Sequence, residues 1–252
     1  MLQALGWAAV GTGFIFLMTT LGAAMVFFMS GEVRPRFQKA VLGFAAGVMT
    51  AASVWSLLIP AIEQIQEEGL LPGWLPAAVG MLLGAVFLAA LDAVIPRLRR
   101  DGEGGPWRNQ TLLMTAITLH NIPEGMAVGL AFSLAAAGEN PAGAAALALG
   151  IGVQNFPEGM AIALPLRQQG LSRGRAFLGG MLSGSVEPLF GVLVVLAAVW
   201  ARAAMPWLLS FSAGAMLYVA VEELIPQAHS RAGTCGFVGG FLIMMILDVA
   251  LG

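Results

Sequence analysis

Long apolar stretches separated by short polar links make up this chain. Eight of the stretches are long enough to cross a bilayer, because about 20 apolar residues span its hydrocarbon core. These predicted spans 1 to 8 cover residues 4–29, 38–62, 74–97, 110–136, 142–166, 174–200, 206–228 and 233–251. The links are too short for a soluble domain. The pattern predicts an all-α integral membrane protein with a single polytopic transmembrane domain over residues 1–252, whose first span is a membrane helix and not a cleaved signal.

Composition supports a membrane location and narrows the classes of partner. Hydrophobic residues make up 58% of the chain and charged residues 10%, whereas soluble domains carry about 25% charged residues. The expected surroundings are therefore a lipid bilayer. A net charge of −2 without any basic run gives no indication of nucleic-acid binding. The one cysteine, Cys235, excludes an internal disulfide and a Cys-rich zinc site.

The basic residues lie almost entirely in alternate links. Eleven of the twelve follow odd-numbered spans: Arg34, Arg36, Lys39, Arg97, Arg99, Arg100, Arg108, Arg167, Arg173, Arg175 and Arg231. The exception is Arg202. Loops rich in Lys and Arg stay on the cytoplasmic side. We therefore predict a multi-pass protein of the cell inner (plasma) membrane, with both termini on the outer side.

Two parts of the chain resemble each other. Span 2 contains FAAGVM and SLLIPAIE where span 7 contains FSAGAM and EELIPQAH, and GMLLGAVFLAALD in span 3 matches GFVGGFLIMMILD in span 8. The copies are five spans apart, and an odd displacement reverses their orientation in the membrane. The sequence thus predicts an inverted repeat that relates spans 1–3 to spans 6–8 and span 4 to span 5. Transporters of this architecture bind their substrate at the repeat interface near the midplane.

The strongest internal match places the same polar motif in two neighbouring spans. Span 4 contains HNIPEGMA (120–127) and span 5 contains QNFPEGMA (154–161). Residues four apart share a helix face, so His120 is stacked on Glu124, and Gln154 on Glu158. Each proline removes one backbone donor, which should kink the helix and expose carbonyl groups.

An ionised glutamate in hydrocarbon needs a partner, because its burial costs several kcal/mol. Spans 4 and 5 contain no lysine or arginine within the membrane to serve as one, and span 6 adds a third acid, Glu187. A divalent cation would resolve this excess of negative charge; the alternative is that the acids are protonated and hydrogen-bonded. Imidazole with carboxylates suits Zn²⁺ and Fe²⁺, while an all-oxygen set favours Mg²⁺, Ca²⁺ or Mn²⁺. Two metals can share a bridging carboxylate.

Four motifs resemble those of the ZIP (Zrt-, Irt-like) divalent-metal transporters, in particular the bacterial GufA-like branch: HNIPEG, QNFPEG, SGSVEP (183–188) and VEELIPQAH (221–229). The resemblance extends over essentially the whole chain. It implies a two-metal site in which His120, Glu124, Gln154 and Glu158 hold one metal. Asn121, Asn155, Glu158 and Glu187 would hold the other, with Glu158 as the bridge.

The same resemblance implies a transport path beyond the two-metal site. Met49 would lie near the metals and Ser56 along the path, and the cytoplasmic side would use Asp92, Glu222 and Glu223. His229 is a candidate release ligand whose alternative is an ordinary interfacial histidine. Spans 1, 4, 5 and 6 would move like an elevator against spans 2, 3, 7 and 8, commonly within a homodimer.

Some features depart from the family pattern or belong to the periphery. The link at 97–110 has no histidine, although many family members carry a His-rich loop there. The acids Glu63, Glu67 and Glu68 are expected in a solvated outer loop. Asp248 is expected to cap span 8 at the outer interface without binding metal.

The sequence therefore predicts a transporter that carries a divalent metal towards the cytoplasm, and not an enzyme. Zinc is the first candidate substrate, with Cd²⁺, Fe²⁺, Mn²⁺ and Ni²⁺ as others. The alternatives are a metal-dependent intramembrane enzyme and a metal sensor without transport. The two copies of the motif differ at their first position, which is His120 in one and Gln154 in the other. We expect this difference to influence metal selectivity.

Overall fold

A computed structural model describes residues 2–28, 34–69, 71–98, 106–138, 141–168, 170–200 and 202–251. In these ranges the regular structure is entirely helical. The α-helices are α1 (Leu2–Ala24), α2 (Pro35–Ala52), α3 (Ile59–Glu68), α4 (Trp74–Leu98), α5 (Pro106–Ala136), α6 (Pro141–Gln168), α7 (Arg173–Gly184), α8 (Val186–Trp200), α9 (Met205–Val219), α10 (Ile225–Ala228) and α11 (Arg231–Leu251). Helices suit a membrane protein because each satisfies its own backbone hydrogen bonds without water.

Six helical segments are long and apolar enough to cross a membrane in the described part of the chain. They are Leu2–Phe27, Pro35–Glu67, Trp74–Leu91, Arg173–Ala197, Met205–Ala228 and Arg231–Ala250. Helices α5 and α6 are also long enough to cross a membrane, with 31 and 28 residues. They are the two helices that carry the repeated polar motif.

Predicted spans 2 and 7 each contain a widened, π-helical turn. In span 2 it covers Ser53–Leu58 and joins α2 to α3, and in span 7 it covers Ala220–Leu224 and joins α9 to α10. Each turn ends directly before an Ile-Pro pair. The first has six residues and the second five, and span 2 has one residue more than span 7 between its matched blocks. Such turns occur mostly as single π-helical turns inside α-helices.

Helix α3 continues further than the sequence indicated. Span 2 was expected to end at residue 62 with Glu63 and Glu67 in a loop, but both lie within α3, which ends at Glu68. Gly69 terminates this helix with φ of 64°, a left-handed conformation that glycine adopts at little cost. The acidic segment is therefore helical, while the side chain of Glu68 lies outside the described part of the chain.

Span 6 is two helices where the sequence predicted one. The break falls at Ser185, whose N–H and hydroxyl both donate to the Leu182 carbonyl, at 3.2 and 2.6 Å. Pro188 contributes to it because a proline has no N–H to donate to the carbonyl four residues earlier. As a result, Glu187 stands in the first turn of α8. The partial positive charge at a helix N-terminus favours a carboxylate there.

Glycines set the close approach of two helix pairs. Helix α11 packs along α2, and α4 packs along α9. A Cβ added at Gly236 or Gly240 of α11 would meet the backbone of α2 at Ala40 or Phe44. On α4, a Cβ at Gly80 or Gly84 would likewise meet the backbone of α9, at Trp207 and Phe211 respectively. Small residues allow such backbone contact between membrane helices.

The neighbouring glycines of α11 allow a matched test of this packing. Gly240→Ala should lower the free energy of unfolding by about 1–3 kcal/mol, because its new Cβ collides with the Phe44 carbonyl and the helices must separate. Gly239→Ala is the control, since a Cβ there meets nothing within 4 Å. Unfolding of both variants in detergent measures the difference. Equal stabilities would contradict the packing described above.

The helices form two groups around the polar motif. The first group consists of α1, α5, α6, α7 and α8, and the second contains the α2–α11 and α4–α9 pairs. Helix α1 packs along α6 and contacts α5, α7 and α8, and α5 packs along α8. The α2–α11 and α4–α9 pairs are joined through contacts of α9 with α2 and α3. The two groups meet where α5 contacts α9 and where α6 contacts α2 and α11.

Candidate metal centre

Polar side chains from three helices converge in the interior of the first group. Helix α5 contributes Asn121 and Glu124, α6 contributes Gln154, Asn155 and Glu158, and α8 contributes Glu187. We refer to these six residues as the metal centre. All but half-buried Glu158 are buried, with exposures of 0–1%.

The amide side chains of the metal centre all use their nitrogen for hydrogen bonds within the protein. The Gln154 amide donates to Oε1 of Glu124 at 2.6 Å, and the Asn155 amide donates to Oε1 of Glu187 at 3.0 Å. The Asn121 amide donates to the backbone carbonyl of Ser183 in α7 at 3.1 Å. These bonds fix the side chains to one another and link α5 and α6 to the α7–α8 region.

Unpaired oxygen atoms are the second feature of the six side chains of the metal centre. One oxygen of each residue is buried and has no hydrogen-bond partner within the described part of the chain: Oδ1 of Asn121 and Asn155, Oε1 of Gln154 and Glu158, and Oε2 of Glu124 and Glu187. All six are acceptors. Buried polar atoms are normally paired, and an unmade hydrogen bond costs about 1–3 kcal/mol. A cation or a set of protons is the chemistry that such a cluster can accept.

The carboxylates of the metal centre lie within range of one another's charge. In their ionised forms, Glu124 would repel Glu158 and Glu187, and Glu187 would repel Glu158. No group of three or more His, Cys, Asp or Glu side chains at metal-ligand spacing occurs among the described residues. Among the described residues, the amide oxygens of Asn121, Gln154 and Asn155 are the donors available to supplement the carboxylates. This mixture of carboxylate and amide oxygen is a hard ligand set.

Two of the residues expected at the site have undescribed side chains. His120 lies in α5 one helical turn before Glu124, and Asp92 lies in α4, but the side chains of both are outside the described part of the chain. Whether an imidazole completes the ligand set thus stays a prediction.

The remaining residues of the expected path lie in the second group of helices. Met49 of α2 is buried, at 2% exposure. Glu222 is exposed, and Glu223 is half-buried and accepts a hydrogen bond from Gln227 at 3.1 Å. His229 is exposed at the end of α10, and its backbone carbonyl accepts a hydrogen bond from Lys39 at 3.2 Å.

Asp248 does not have the surroundings that the sequence suggested. It is 8% exposed, and its Oδ1 accepts a hydrogen bond from the Ser56 hydroxyl at 2.6 Å. The two residues line a cavity of about 480 Å³, the Ser56–Asp248 cavity, together with Trp55, Ile59, Pro60, Glu63, Ala131, Leu134, Gly143, Ala144 and Val249. Ser56 is far from Asp248 in sequence, so only the fold brings hydroxyl and carboxylate together.

Thr19 of α1 contacts Glu187, and the sequence did not indicate this contact. Thr19 is fully buried, and its hydroxyl lies 3.0 Å from Oε1 of Glu187. Threonines are common in membrane helices, where their hydroxyls usually bond the preceding turn. Nothing in the local sequence of span 1 therefore distinguishes this threonine from the others.

Comparisons with known proteins place the chain in a family. The model of the ZIP zinc transporter family matches residues 104–248. The chain is 37% identical to zinc transporter ZIP11 of Homo sapiens over 97% of both chains, and 40% identical to zinc transporter GufA of Myxococcus xanthus over 93% of this chain and 94% of that one. It is 38% identical to zinc transporter ZIPB of Bordetella bronchiseptica, over 98% and 82% of the two chains. The matched segment exceeds half of the chain, and these relatives align along almost all of it. The chain therefore belongs to the ZIP family of zinc transporters, as a GufA-like member.

Proposed function

We propose that this protein transports divalent metal ions, zinc in the first place, across the cell membrane towards the cytoplasm through the metal centre. The observation that carries the proposal is the set of six buried acceptor oxygens without a hydrogen-bond partner in the described part of the chain. Three of the residues are acids that repel one another. A divalent cation satisfies the oxygens and neutralises the charge at once. The zinc transporters among its relatives support zinc as the cargo.

The centre is proposed to hold two metals. Glu124, Gln154 and Glu158, with His120, form the first site. Asn121, Asn155, Glu158 and Glu187 form the second, and Glu158 bridges the two. Glu158 suits the bridging role because its charge interacts with both other acids. Metal ligands must be deprotonated, so zinc competes with protons for the carboxylates.

Matching helix contacts support the proposed inverted repeat. Under that repeat α2 corresponds to α9 and α11 to α4, so the α2–α11 pair should mirror the α9–α4 pair. The glycine contacts agree: Gly236 and Gly240 lie against Ala40 and Phe44, and the corresponding glycines of α4, Gly80 and Gly84, lie against Trp207 and Phe211. The paired π-turns before Ile-Pro agree as well. Together with α5 and α6, the described helices then make eight spans.

The distribution of ligands supports elevator-like movement. The six residues of the metal centre all belong to the group formed by α1, α5, α6, α7 and α8, which can carry the metal as one body. Met49 belongs to the other group. The Ser56–Asp248 cavity lies between the two groups, since Ala131 and Gly143 come from α5 and α6 while Ser56 and Asp248 come from the opposite group. We assign this cavity as the outer approach to the centre, and Glu222, Glu223 and Asp92 as the release side.

The proposed orientation can be tested with the chain's single cysteine removed. In a Cys235→Ala background, Gln66→Cys and His229→Cys place reporters at exposed positions near opposite ends of the bundle. The positive-inside pattern predicts that a membrane-impermeant maleimide labels Gln66→Cys in intact cells and His229→Cys only after permeabilisation. The reverse labelling result would show that the protein has the opposite orientation in the membrane.

An enzymatic function has less support. The family and the names of the relatives indicate a transporter. A metal-dependent hydrolase would need a general base beside a metal-bound water, and the sequence contains no H-E-x-x-H motif.

Zinc entry into proteoliposomes across a pH series tests the proposed function. Saturable zinc uptake above that of protein-free vesicles is expected, and it should fall at low pH because protons compete for the ligands. Competition by Cd²⁺, Fe²⁺, Mn²⁺ and Ni²⁺ would rank the metals. Saturable binding without uptake would favour a sensor over a transporter.

A further inference from the structure

We propose that Thr19 is a positioning residue for Glu187, holding Oε1 of that carboxylate so that Oε2 is presented to the metal. The inference rests on the proposed function, since it assigns a role within the same centre. Glu187 has 0% exposure. Two donors converge on its Oε1, the Thr19 hydroxyl and the Asn155 amide, each at 3.0 Å.

The two oxygens of Glu187 therefore have separate roles. Oε1 is occupied by hydrogen bonds, whereas Oε2 has no hydrogen-bond partner among the described residues. Two donors on one oxygen, from α1 and from α6, fix the rotation of the carboxylate. A carboxylate fixed in this way loses little further side-chain entropy when its free oxygen binds a metal. Hydrogen bonds to a metal ligand commonly contribute about 10–100-fold to metal affinity.

The hydroxyl of Thr19 has two acceptors within reach. Besides Glu187, it lies 3.2 Å from the carbonyl of Ile15 in the preceding turn of α1. A hydroxyl has only one hydrogen to donate. The contact with Glu187 is the shorter of the two, at 3.0 Å, so the bond is assigned to the carboxylate. The threonine thereby ties α1 to Glu187.

Thr19 also occupies a special place in the proposed repeat, in which span 1 corresponds to span 6. A Cβ added at Gly159 of α6 would meet the backbone of Thr19, and a Cβ at Gly125 of α5 would meet the backbone of Glu187. Gly125 and Gly159 are the same position of the repeated motif, so Thr19 and Glu187 are counterparts. One counterpart is a ligand and the other orients it, because a second acid at position 19 would face Glu187 and repel it.

The test compares two threonines of α1. Thr19→Val removes the hydroxyl and keeps the branched shape, and Thr19→Ser keeps the hydroxyl. Thr12→Val is the matched control: Thr12 is equally buried, and its hydroxyl bonds the Ala8 carbonyl at 2.7 Å. Zinc affinity is measured by titration of the purified protein in detergent, and zinc uptake in proteoliposomes.

Thr19→Val is expected to weaken zinc binding about 10–100-fold and to raise the zinc concentration for half-maximal uptake. Thr19→Ser and Thr12→Val should stay close to the wild type. In a Glu187→Gln background, Thr19→Val should have little further effect on affinity, because the two residues act through one contact.

An unchanged zinc affinity in folded Thr19→Val, or the same loss in Thr12→Val, would overturn the inference. If the valine variant does not fold, Thr19→Ala replaces it under the same expectations. Failure of the wild type to take up zinc would instead count against the proposed function. The two failures are therefore separate outcomes.

Discussion

Replacing Glu158 with alanine is expected to abolish zinc uptake into vesicles while the protein still inserts into the membrane. Glu158 is the proposed bridge, so its loss removes a ligand from both metals at once. Its Oε1 is buried and has no hydrogen-bond partner in the described ranges, and truncation therefore breaks no hydrogen bond of that oxygen. Zinc flux into proteoliposomes, normalised to reconstituted protein, measures the effect.

The control for this prediction is an exposed glutamate. Glu67 lies in α3 and is exposed, so Glu67→Ala should leave uptake near the wild-type rate. Zinc flux through Glu158→Ala at the wild-type rate would show that Glu158 is not part of the metal centre.

Glu124→Gln is expected to change stability in opposite directions without and with zinc. Without metal, the variant should be at least as stable as the wild type, because it removes one of three acids that repel one another. The glutamine keeps an oxygen for the bond from Gln154 and offers an N–H to the acceptor cluster. With metal, that N–H repels the cation, and a ligand charge is lost.

The size of this effect follows from binding linkage. Zinc at 100 times its dissociation constant should raise the wild-type free energy of unfolding by about 2.7 kcal/mol. The part of this increase that comes from the first site, to which Glu124 belongs, should be lost in Glu124→Gln. Thermal unfolding in detergent, once with zinc and once with a chelator, measures the stability of both proteins under the two conditions. A variant that zinc stabilises as strongly as the wild type would mean that Glu124 does not bind metal.

The sequence carries information on where long helices lie because length and apolar character decide membrane insertion. The predicted ends of span 3 and span 8 lie within about two residues of α4 and α11. The break at Ser185 and the two π-turns were not predicted. The break involves Pro188, and a break or a π-turn alters local hydrogen bonding without changing hydropathy.

The sequence suggested which residues belong to the candidate site, but it did not suggest their hydrogen bonds. The repeated motif marked Glu124 and Glu158, because a buried acid without a basic partner stands out in any apolar span. The roles of Thr19 and Asp248 depend on contacts with residues far away in the chain. No periodicity in spans 1 or 8 encodes those contacts.

The hydrogen bonds of the candidate centre would hold its side chains in place when no metal is bound. Each amide nitrogen is used inside the protein, two of them on carboxylates. These bonds partly offset the repulsion between Glu124 and Glu187 without using the oxygens that face a metal. The centre is thus preorganised, and less ordering is needed when metal binds.

The central claim, that zinc passes through the α5–α6 carboxylate centre, is tested most directly by locating zinc in the protein. Anomalous scattering at the zinc edge from crystals grown with zinc gives the position without assumptions about ligands. The account predicts density among the free oxygens of Glu124, Glu158 and Glu187, with ligand distances of about 2.0–2.2 Å. Zinc found only at surface residues such as His229 or Cys235, with none between α5 and α6, would contradict it.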